Sequence, residues 1–354
     1  MRHLITALSL CLAAPALAAP KVTLVAEGFV NPWAVAFLPE GSILVTEKGG
    51  DLLLLGAGKS TRLKGVPKVA EVGQGGLLDV MVPEDFTYSR EIFLSYAKKL
   101  SKGQGTALAR ATLAAGSDRL TDVKDLFVMT DGSSGGNHFG SRIVEAADGT
   151  LFLTVGERGD ADLAQDLSRH NGSVIRINRD GTIPEDNPFV GQDGAQPEIY
   201  SYGHRNPQGA ALDADGTLWV DEHGARGGDE LNAIKRGANY GWPVISYGTH
   251  YSGAKIGEGT AKQGMEQPEF FWDPSIAPSG MAIYSGRLND EWKGDFLIGS
   301  LKFDMISRID RDTMTEAERI QTPETMRVRD VIEGPDGAVY FLSEINGALY
   351  RLEP

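Results

Sequence analysis

Short apolar runs separated by acidic-glycine turns recur along most of the chain, and long helical periodicity is almost absent. The recurring unit is an apolar run, a turn, and then a run in which β-branched and aromatic residues alternate with others. An Asp-Gly pair between two such runs is a strong hairpin signal, because glycine accepts the positive φ angle of a tight turn. The units lie at Ala34–Leu55, Leu77–Tyr96, Ile143–Val155, Ala210–Val220, Met281–Leu297 and Val331–Leu342.

Six such units, at spacings of roughly 40–80 residues, are typical of an all-β, six-bladed β-propeller of four-stranded antiparallel sheets. A blade cannot bury its faces alone, so residues 19–354 are predicted to form a single catalytic domain. A two-sheet sandwich would give similar local signals but would rarely need so many units. The segment Asp160–Arg176 is mildly helical and is interpreted as a loop insertion. The predicted turns are Glu40-Gly41, Asp148-Gly149, Asp215-Gly216 and Asp336-Gly337, with looser equivalents at Glu84-Asp85 and Lys293-Gly294.

The N-terminus has the layout of a cleaved signal peptide at residues 1–18. A short basic start is followed by the apolar stretch Leu4–Ala14, and Ala16-Leu17-Ala18 then gives the small-x-small pattern that signal peptidase needs. We therefore expect a periplasmic or secreted protein. No later segment approaches the ~18 uninterrupted apolar residues of a membrane span, so none is predicted.

The chain is acidic, with a formal net charge of −14. This charge argues against nucleic acid or an anionic lipid surface as a partner, because both need a basic face. The single cysteine, Cys11, lies in the predicted leader, so no internal disulfide and no cysteine-ligated metal site are expected in the mature chain. Clusters of Arg and Lys in so acidic a chain are therefore candidate local sites.

Two glycine-rich loops before the third and fourth units carry candidate catalytic side chains. His138 is flanked by glycines in the loop Gly135–Gly140, and histidine suits a general base because its pKa lies near working pH. A turn histidine bonded to a carbonyl is the structural alternative. The next loop places Arg205 and Asn206 before Pro207, which puts a planar donor fork and an amide at the start of a strand. By itself this second motif is equally consistent with a solvated turn.

Two further clusters indicate binding of ions of opposite sign. The loop His223–Asn232 combines glycines with acidic residues, which suits a hard cation, although the spacing does not match an EF-hand. Arg327 and Arg329 lie two apart on a predicted strand edge, so both are expected to point to one side. With Lys302 they form a candidate site for a multiply charged anion, and surface pairing with Asp330 is the alternative. The sequence has no zinc spacing, no phosphate-binding Gly-Lys-Ser/Thr loop and no Gly-x-Ser-x-Gly motif.

Taken in order, the loop motifs resemble those of the soluble quinoprotein glucose dehydrogenase family, and most closely its bacterial aldose sugar dehydrogenase branch. The resemblance covers nearly the whole mature chain, and the order of the motifs makes it specific. The motifs are Asn31-Pro32-Trp33-Ala34, Gly73-Gln74-Gly75-Gly76-Leu77-Leu78-Asp79, Gly136-Asn137-His138-Phe139-Gly140, Arg205-Asn206-Pro207-Gln208-Gly209, Gly227-Gly228-Asp229-Glu230, Asn239-Tyr240-Gly241-Trp242-Pro243, Ala277-Pro278-Ser279-Gly280 and Arg327-Val328-Arg329-Asp330.

The resemblance implies a propeller that carries pyrroloquinoline quinone (PQQ) and calcium at its channel mouth. It implies oxidation of an aldose at the anomeric carbon to a lactone by hydride transfer to PQQ, with electrons passing to an unidentified acceptor. His138 resembles the base that takes the hydroxyl proton, and Arg205 resembles the residue near the quinone carbonyl. The other residues resemble cofactor ligands (Gln74, Asn206, Lys302, Arg327 and Arg329), backbone ligands of a catalytic calcium (Gly224 and Ala225), ligands of a structural calcium (Glu230 and Tyr240) and sugar contacts (Gln74, Asn137 and Arg158).

The sequence departs from the family pattern at four positions that bear on calcium and sugar. Ala225 stands where the pattern often has proline, and Asn137 stands where glucose-type relatives have an acid. Arg158 lies where a glutamine can contact sugar, and Asp273 replaces an aromatic platform, so broad sugar specificity is expected. The protein is expected to be a monomer or a dimer. Two other classes remain open at this point: a non-catalytic propeller that binds a partner, and a calcium-dependent lactonase.

Overall fold

The computed structural model describes residues 21–56 and 58–354. The predicted signal peptide at residues 1–18 therefore lies outside the described residues. Within them the strands form six separate sheets, and each sheet holds four strands in antiparallel order. The predicted all-β, six-bladed propeller is confirmed.

The first three blades take their strands from consecutive stretches of the chain. Blade 1 consists of β2 (Pro32–Phe37), β3 (Ile43–Glu47), β4 (Asp51–Gly56) and β5 (Lys59–Arg62). Blade 2 consists of β6 (Leu77–Met81), β7 (Glu91–Lys99), β8 (Gln104–Thr112) and β9 (Thr121–Val128). Blade 3 consists of β10 (Ile143–Glu145), β11 (Leu151–Val155), β12 (Ser173–Ile177) and β13 (Ile199–Tyr202).

The last three blades complete the ring, and the sixth also takes the first strand of the described chain. Blade 4 consists of β14 (Pro207–Leu212), β15 (Leu218–Glu222), β16 (Asp229–Ile234) and β17 (Phe270–Trp272). Blade 5 consists of β18 (Pro278–Ile283), β19 (Phe296–Ser300), β20 (Ile306–Asp310) and β21 (Thr315–Ile320). Blade 6 consists of β22 (Val328–Glu333), β23 (Val339–Ser343), β24 (Ala348–Glu353) and β1 (Lys21–Glu27).

Pairing of β1 with β24 joins the two ends of the described chain in one sheet. The register runs from Lys21 opposite Glu353 to Glu27 opposite Ala348, with one irregularity between Leu24 and Ala26. The innermost strands β2, β6, β10, β14, β18 and β22 contact one another in sequence around the axis, and β22 contacts β2. The ring is therefore closed by hydrogen bonds within blade 6.

The hydrophobic core is divided among the six interfaces between neighbouring blades. Leu297 of blade 5 packs in one cluster with Phe341 of blade 6, and Val45 of blade 1 packs with Leu342 of blade 6. Both faces of a blade are thus apolar, which matches the buried runs in the inner strands. The apolar core therefore lies between the blades and not along the axis of the ring.

The predicted turns join the first two strands of their blades. Gly41, Gly149, Gly216 and Gly337 all adopt positive φ angles there, as the turn pattern required. The looser turn at Glu84-Asp85 leads into a single helical turn, α1 (Phe86–Ser89). Gly294, of the other looser turn, also has a positive φ angle.

Helical structure is scarce in the described residues. The mildly helical segment Asp160–Arg176 holds one short 3-10 helix (Ala161–Gln165) and then enters β12, so its loop interpretation holds only up to Gly172. A second 3-10 helix covers Asp290–Trp292. Among the residues that the structure describes, no helix combines the length and apolar character that a membrane crossing needs.

Candidate active site at the mouth of the channel

Register irregularities interrupt five of the six innermost strands, all near the first residues of the strand. In β2, β14 and β22 a single residue is skipped in the pairing: Trp33, Gln208 and Arg329. A bulge bends its strand and re-aims the extra side chain. All three skipped residues line one cavity, so the bulges build its wall.

The cavity lies where the starts of the inner strands meet and has a volume of about 360 Å³. Its wall combines flat apolar surfaces with cations, which suits a planar anion. The residues that line it are Asn31, Pro32, Trp33, Lys48, Gly73, Gln74, Leu78, Phe139, Gly140, Gln208, His223, Ala277, Leu301, Arg327, Arg329 and Glu344.

The two arginines predicted to bind an anion both reach this cavity. Arg327 precedes β22 with a φ angle of 50°, and its Nη1 donates to the Leu301 carbonyl at 2.9 Å. Arg329 is the bulged residue, and its Nη1 donates to Gln208 Oε1 at 3.1 Å. The two side chains converge because Arg327 has a left-handed backbone and the next residue but one, Arg329, is bulged. The sequence predicted that both would point to one side, but the reason it gave, the alternation of side chains along a regular strand, was wrong.

The charge inside the cavity is positive although the chain is acidic. Glu344 lies 3.1 Å from Arg327 Nε and 3.3 Å from Arg329 Nη2. One carboxylate therefore serves two guanidinium groups. Burial lowers the pKa of Arg329 and the charge of Arg327 lowers it further, while Glu344 acts in the opposite direction. An anion in the cavity would relieve this unfavourable burial.

His138 does not itself line the cavity, but Phe139 and Gly140, which follow it in the same loop, do. Its ring Nδ1 hydrogen-bonds Glu157 Oε2, which also accepts the Gly159 N–H at 2.9 Å. The backbone N–H of His138 donates to Gln74 Oε1 at 2.8 Å. A carboxylate can only accept, so Nδ1 carries a proton and Nε2 is left as the basic nitrogen of the neutral ring.

The predicted sugar contacts occupy three different environments. Gln74 lines the cavity and holds the backbone of His138. Asn137 is exposed on the same loop. Arg158, in contrast, is only 1% exposed and does not line the cavity, because its guanidinium lies beneath the loop against the Phe139 ring.

Arg205 and Asn206 lie under the wall next to His223. Arg205 Nη1 donates to the Gly224 carbonyl at 2.5 Å, and its Nε is buried with no hydrogen-bond partner. Asn206 is fully buried and accepts the Gly140 N–H at 3.2 Å. Asn206 Nδ2 lies 3.2 Å from His223 Nδ1, so it supports two cavity-lining residues instead of forming the wall.

Lys302 is an exposed predicted cofactor ligand that does not line the cavity. It is exposed, and its Nζ lies 5.0 Å from the centre of the Phe303 ring. Its chain neighbour Leu301 lines the cavity. The structure therefore brings Lys302 to the rim without placing its amine in the wall.

Three of the four predicted calcium ligands, Gly224, Glu230 and Tyr240, line a second, water-sized cavity that Arg205 and His223 also line. Glu230 lies there beside Glu222, and burial followed by the Glu222 charge raises the pKa of Glu230 well above its ordinary value. Two desolvated carboxylates fit a hard cation. The Tyr240 hydroxyl donates to the Ala233 carbonyl at 2.6 Å, so this residue can offer its backbone oxygen only.

The other calcium prediction concerns the backbone oxygens of Gly224 and Ala225. The Gly224 carbonyl already accepts an N–H from Arg205, and Ala225 is buried without lining the small cavity. In the described residues, no group of three or more His, Cys, Asp or Glu side chains could hold a metal ion. The donor set fits calcium at Glu230 better than at Gly224.

An ion network supports the cavity from below. Arg142 lies 3.0 Å from Asp79 Oδ1 and 3.0 Å from Asp330 Oδ1. Its Nε donates to the Gln208 carbonyl at 3.2 Å, and its guanidinium lies 4.7 Å from the Trp33 ring centre. Burial raises the pKa of Asp79 to about 6, although Arg142 opposes the shift. The network ties blades 2, 3 and 6 together under the bulged residues.

Several residues of the site were missed in the sequence. Glu157 carried a usable signal, because it is an acidic residue two positions after the mostly apolar strand Leu151–Val155, and the structure buries it. Glu344 follows β23 in a similar way. Trp33 and Gln208 lay inside recognised motifs, but only the bulges show that they face the cavity.

Comparison with known proteins was informative along nearly the whole chain. The family described as glucose/sorbosone dehydrogenase matches residues 29–351. An aldose sugar dehydrogenase of Escherichia coli strain K12 is 43% identical over 358 residues, covering 98% of this chain and 96% of that protein.

Solved structures agree with this similarity. The soluble aldose sugar dehydrogenase from Escherichia coli in its apo form matches with a TM-score of 0.91 at 42% identity, covering 95% of this chain and 99% of that one. The PQQ-bound form of an aldose sugar dehydrogenase from Streptomyces coelicolor matches with a TM-score of 0.78 at 28% identity, covering 96% of this chain and 99% of that one.

Proposed function

The chain belongs to the glucose/sorbosone dehydrogenase family, and from this premise we propose that it is a PQQ-dependent enzyme that oxidises aldose sugars. The observation that carries the proposal is the mouth cavity, in which two arginines share one carboxylate close to the His138–Glu157 pair. Homology to aldose sugar dehydrogenases supports sugar as the substrate class.

PQQ is a planar anion with three carboxylates and an ortho-quinone, and the residues of the cavity fit such a group. Trp33 and Phe139 offer flat apolar surfaces, while Arg327 and Arg329 offer charge-assisted hydrogen bonds. Arg205 lines the neighbouring small cavity, and its buried Nε is a donor that has no hydrogen-bond partner within the protein. We assign PQQ binding to Gln74, Arg205, Asn206, Lys302, Arg327 and Arg329.

When bound, PQQ supplies an electrophilic quinone that accepts the hydride of the anomeric carbon. His138 takes the proton of the anomeric hydroxyl at Nε2, because Glu157 fixes the other ring nitrogen as a donor. We assign sugar contacts to Gln74 and Asn137, because the Gln74 side chain binds the backbone of His138, the chain neighbour of Asn137. Loss of a hydride and a proton converts the aldose into its lactone, and the two electrons then pass to a separate electron acceptor.

We further propose calcium binding at both predicted positions, with Glu230 and the Tyr240 backbone holding one ion and the backbone oxygens of Gly224 and Ala225 the other. The raised pKa of Glu230 supports the first of these. At the second, the Gly224 carbonyl also accepts a hydrogen bond from Arg205, so the ion would share this oxygen with a guanidinium group.

Location, assembly and substrate range are also proposals. The leader pattern in residues 1–18 supports export to the periplasm or beyond, leaving residues 19–354 as one catalytic domain. The polar rim with Asn137 and Asp273 supports comparable turnover of several sugars, since few apolar walls discriminate weakly between epimers. A monomer or dimer is proposed.

The test is reconstitution of the purified apo chain with PQQ and calcium, alone and together, followed by dye-coupled oxidation of a panel of aldoses. We expect activity only when PQQ is present, and quinone absorbance that survives desalting. Absence of both would overturn the proposal. Calcium-dependent hydrolysis of lactones without PQQ would favour the lactonase alternative, and tight binding of a protein partner without cofactor would favour the non-catalytic propeller.

A further inference from the structure

We propose that Arg158 is a positioning residue that holds the loop of His138 in place from beneath. The inference rests on the proposed function, because it takes His138 to be the base. It differs from a sugar-contact role for Arg158, which would require the guanidinium to lie in the cavity wall. In the structure this side chain is among the largest that are fully buried.

Arg158 contacts the loop on either side of His138. Its Nη2 donates to the Gly135 carbonyl at 2.9 Å, and its guanidinium carbon lies 3.3 Å from the centre of the Phe139 ring. The Arg158 backbone carbonyl accepts a hydrogen bond from Ser133 Oγ at 3.2 Å. The loop is thus held at its start by a hydrogen bond and after His138 by stacking on an aromatic face.

The residue before Arg158 holds the imidazole itself. Glu157 hydrogen-bonds the Nδ1 of His138, so two consecutive residues fix one loop, the first through the ring and the second through the backbone. Both His138 and Arg158 have left-handed backbones, with φ angles of 55° and 65°. Non-glycine residues adopt this region rarely, and it is often found where a site needs a defined geometry.

Burying the Arg158 guanidinium costs folding free energy, and this cost favours a functional reason for the arrangement. Arg158 Nε and Nη1 are buried and have no hydrogen-bond partner. Burial lowers the pKa of Arg158 to about 10, partly offset by Glu157, so the side chain remains charged at neutral pH. A core position that only needed filling would be met by an apolar side chain without this desolvation. What the guanidinium adds is a charge-assisted bond to Gly135 together with a flat face for Phe139.

The test compares Arg158→Gln and Arg158→Lys with Arg176→Gln as a matched control. Arg176 is a buried arginine of the same blade, but its partners Asp148 and Asp186 lie away from the loop. Misplacement of a reacting group by about 1 Å can cost about 100-fold in rate, so kcat of Arg158→Gln should fall by about that factor. The KM for sugar and the Kd for PQQ should stay within about threefold of wild type, since no binding contact is removed. Arg158→Lys keeps the charge but not the planar face, so its kcat should lie between those of wild type and Arg158→Gln.

A second readout needs no cofactor. Amide hydrogen exchange over residues 135–140 of the apo protein should speed up at least about tenfold in Arg158→Gln and remain unchanged in Arg176→Gln. Exchange that is equally slow in all variants, or a kcat within twofold of wild type, would overturn the proposal. So would a rise in sugar KM at constant kcat, which would restore Arg158 as a sugar contact. If the wild-type chain neither binds PQQ nor oxidises sugar, the proposed function fails, while the exchange comparison still decides the role of Arg158 in the loop.

Discussion

The two ends of the innermost strands use glycine for opposite purposes. At the turn end, Gly41, Gly149 and Gly216 have φ angles of 88°, 79° and 86°, and an added Cβ would meet nothing within 4 Å. At the mouth end, an added Cβ on Gly76 would lie 2.0 Å from the Lys48 carbonyl oxygen. The turn end therefore needs glycine for its backbone conformation, and the mouth end needs it for close approach of separate loops.

The turn end of the strands thus acts as a repeated scaffold, whereas the mouth end forms the candidate site. The turns at Gly41, Gly149 and Gly216 share one backbone conformation, and an added Cβ at each would lie in open space. The mouth end combines bulges, left-handed residues and crowded glycines that differ from blade to blade, because each blade contributes a different group to one cavity. Changes at the two ends should consequently affect different properties, stability at the turn end and chemistry at the mouth.

The largest effect is expected for His138→Ala at the mouth. General-base catalysis is typically worth ~10²–10⁴-fold, so kcat should fall by about that much while PQQ stays bound. PQQ titration followed by dye-coupled rates at saturating cofactor measures both quantities. If the variant loses PQQ but keeps its rate per bound cofactor, His138 is a cofactor ligand and its assignment as the base is wrong.

Asp79, in the network under the cavity, should make stability depend on pH. Its folded pKa is raised from 3.8 to about 6, so its stabilising contribution is complete below pH 4 and is lost as pH rises through 6. At about 1.4 kcal/mol for each pKa unit, the loss should reach at most about 3 kcal/mol. Denaturant titrations from pH 4 to 7 should show this fall in wild type and a flatter profile in Asp79→Asn.

The turn end offers a control of opposite sign for that experiment. Asp215 is exposed and accepts the Thr217 N–H, which lowers the pKa of its carboxyl. Its contribution is therefore present above its unfolded pKa and is lost as pH falls. If the stability of Asp79→Asn depends on pH in the same way as that of wild type, Asp79 does not titrate in this range.

A matched pair of glycines tests the comparison most directly. In Gly156→Ala the new Cβ would lie 2.2 Å from the His138 carbonyl oxygen, so the base loop must shift and kcat should fall, by about 100-fold for a displacement near 1 Å. In Gly216→Ala the added Cβ has room, and the left-handed backbone should cost about 1–2 kcal/mol of stability without a change in kcat. Steady-state kinetics and thermal unfolding of both variants measure kcat and stability. If both substitutions lower kcat equally, the two ends do not differ in the way proposed.

Among the changes at the mouth, the smallest is expected in cofactor affinity. Charge-assisted hydrogen bonds contribute roughly 1.5–3 kcal/mol, so Arg329→Ala should weaken PQQ binding about ten- to hundredfold, with the rate largely recovered at saturating PQQ. Arg351 pairs with Asp336 at the turn end, and Arg351→Ala should leave the affinity unchanged. Equilibrium titration of PQQ into both variants provides the measurement, and equal losses would mean that the cavity arginines have no special role.

The sequence by itself determined the repeating part of the molecule. Asp-Gly pairs such as Asp148-Gly149 encode their turn locally, because the glycine alone accepts the backbone angle that the turn needs. Alternating runs encode strands in the same local way, so six units predicted six blades. The motifs around His138 and Arg205, read against a known family, also pointed to loops whose residues line the two cavities.

Only the tertiary structure decided which of those side chains meet. Gln208 contacts Arg329 across 121 positions of sequence, and Val35 donates its backbone N–H to Asp330 across 295. Such contacts depend on closure of the ring and on bulges that re-aim single residues, and neither leaves a local pattern in the chain. For the same reason the sequence could not show that Arg158 lies under the loop or that Lys302 lies at the rim. Backbone conformation is set mainly by neighbouring residues, whereas the side of a loop on which a charge is buried is set by blades distant in sequence.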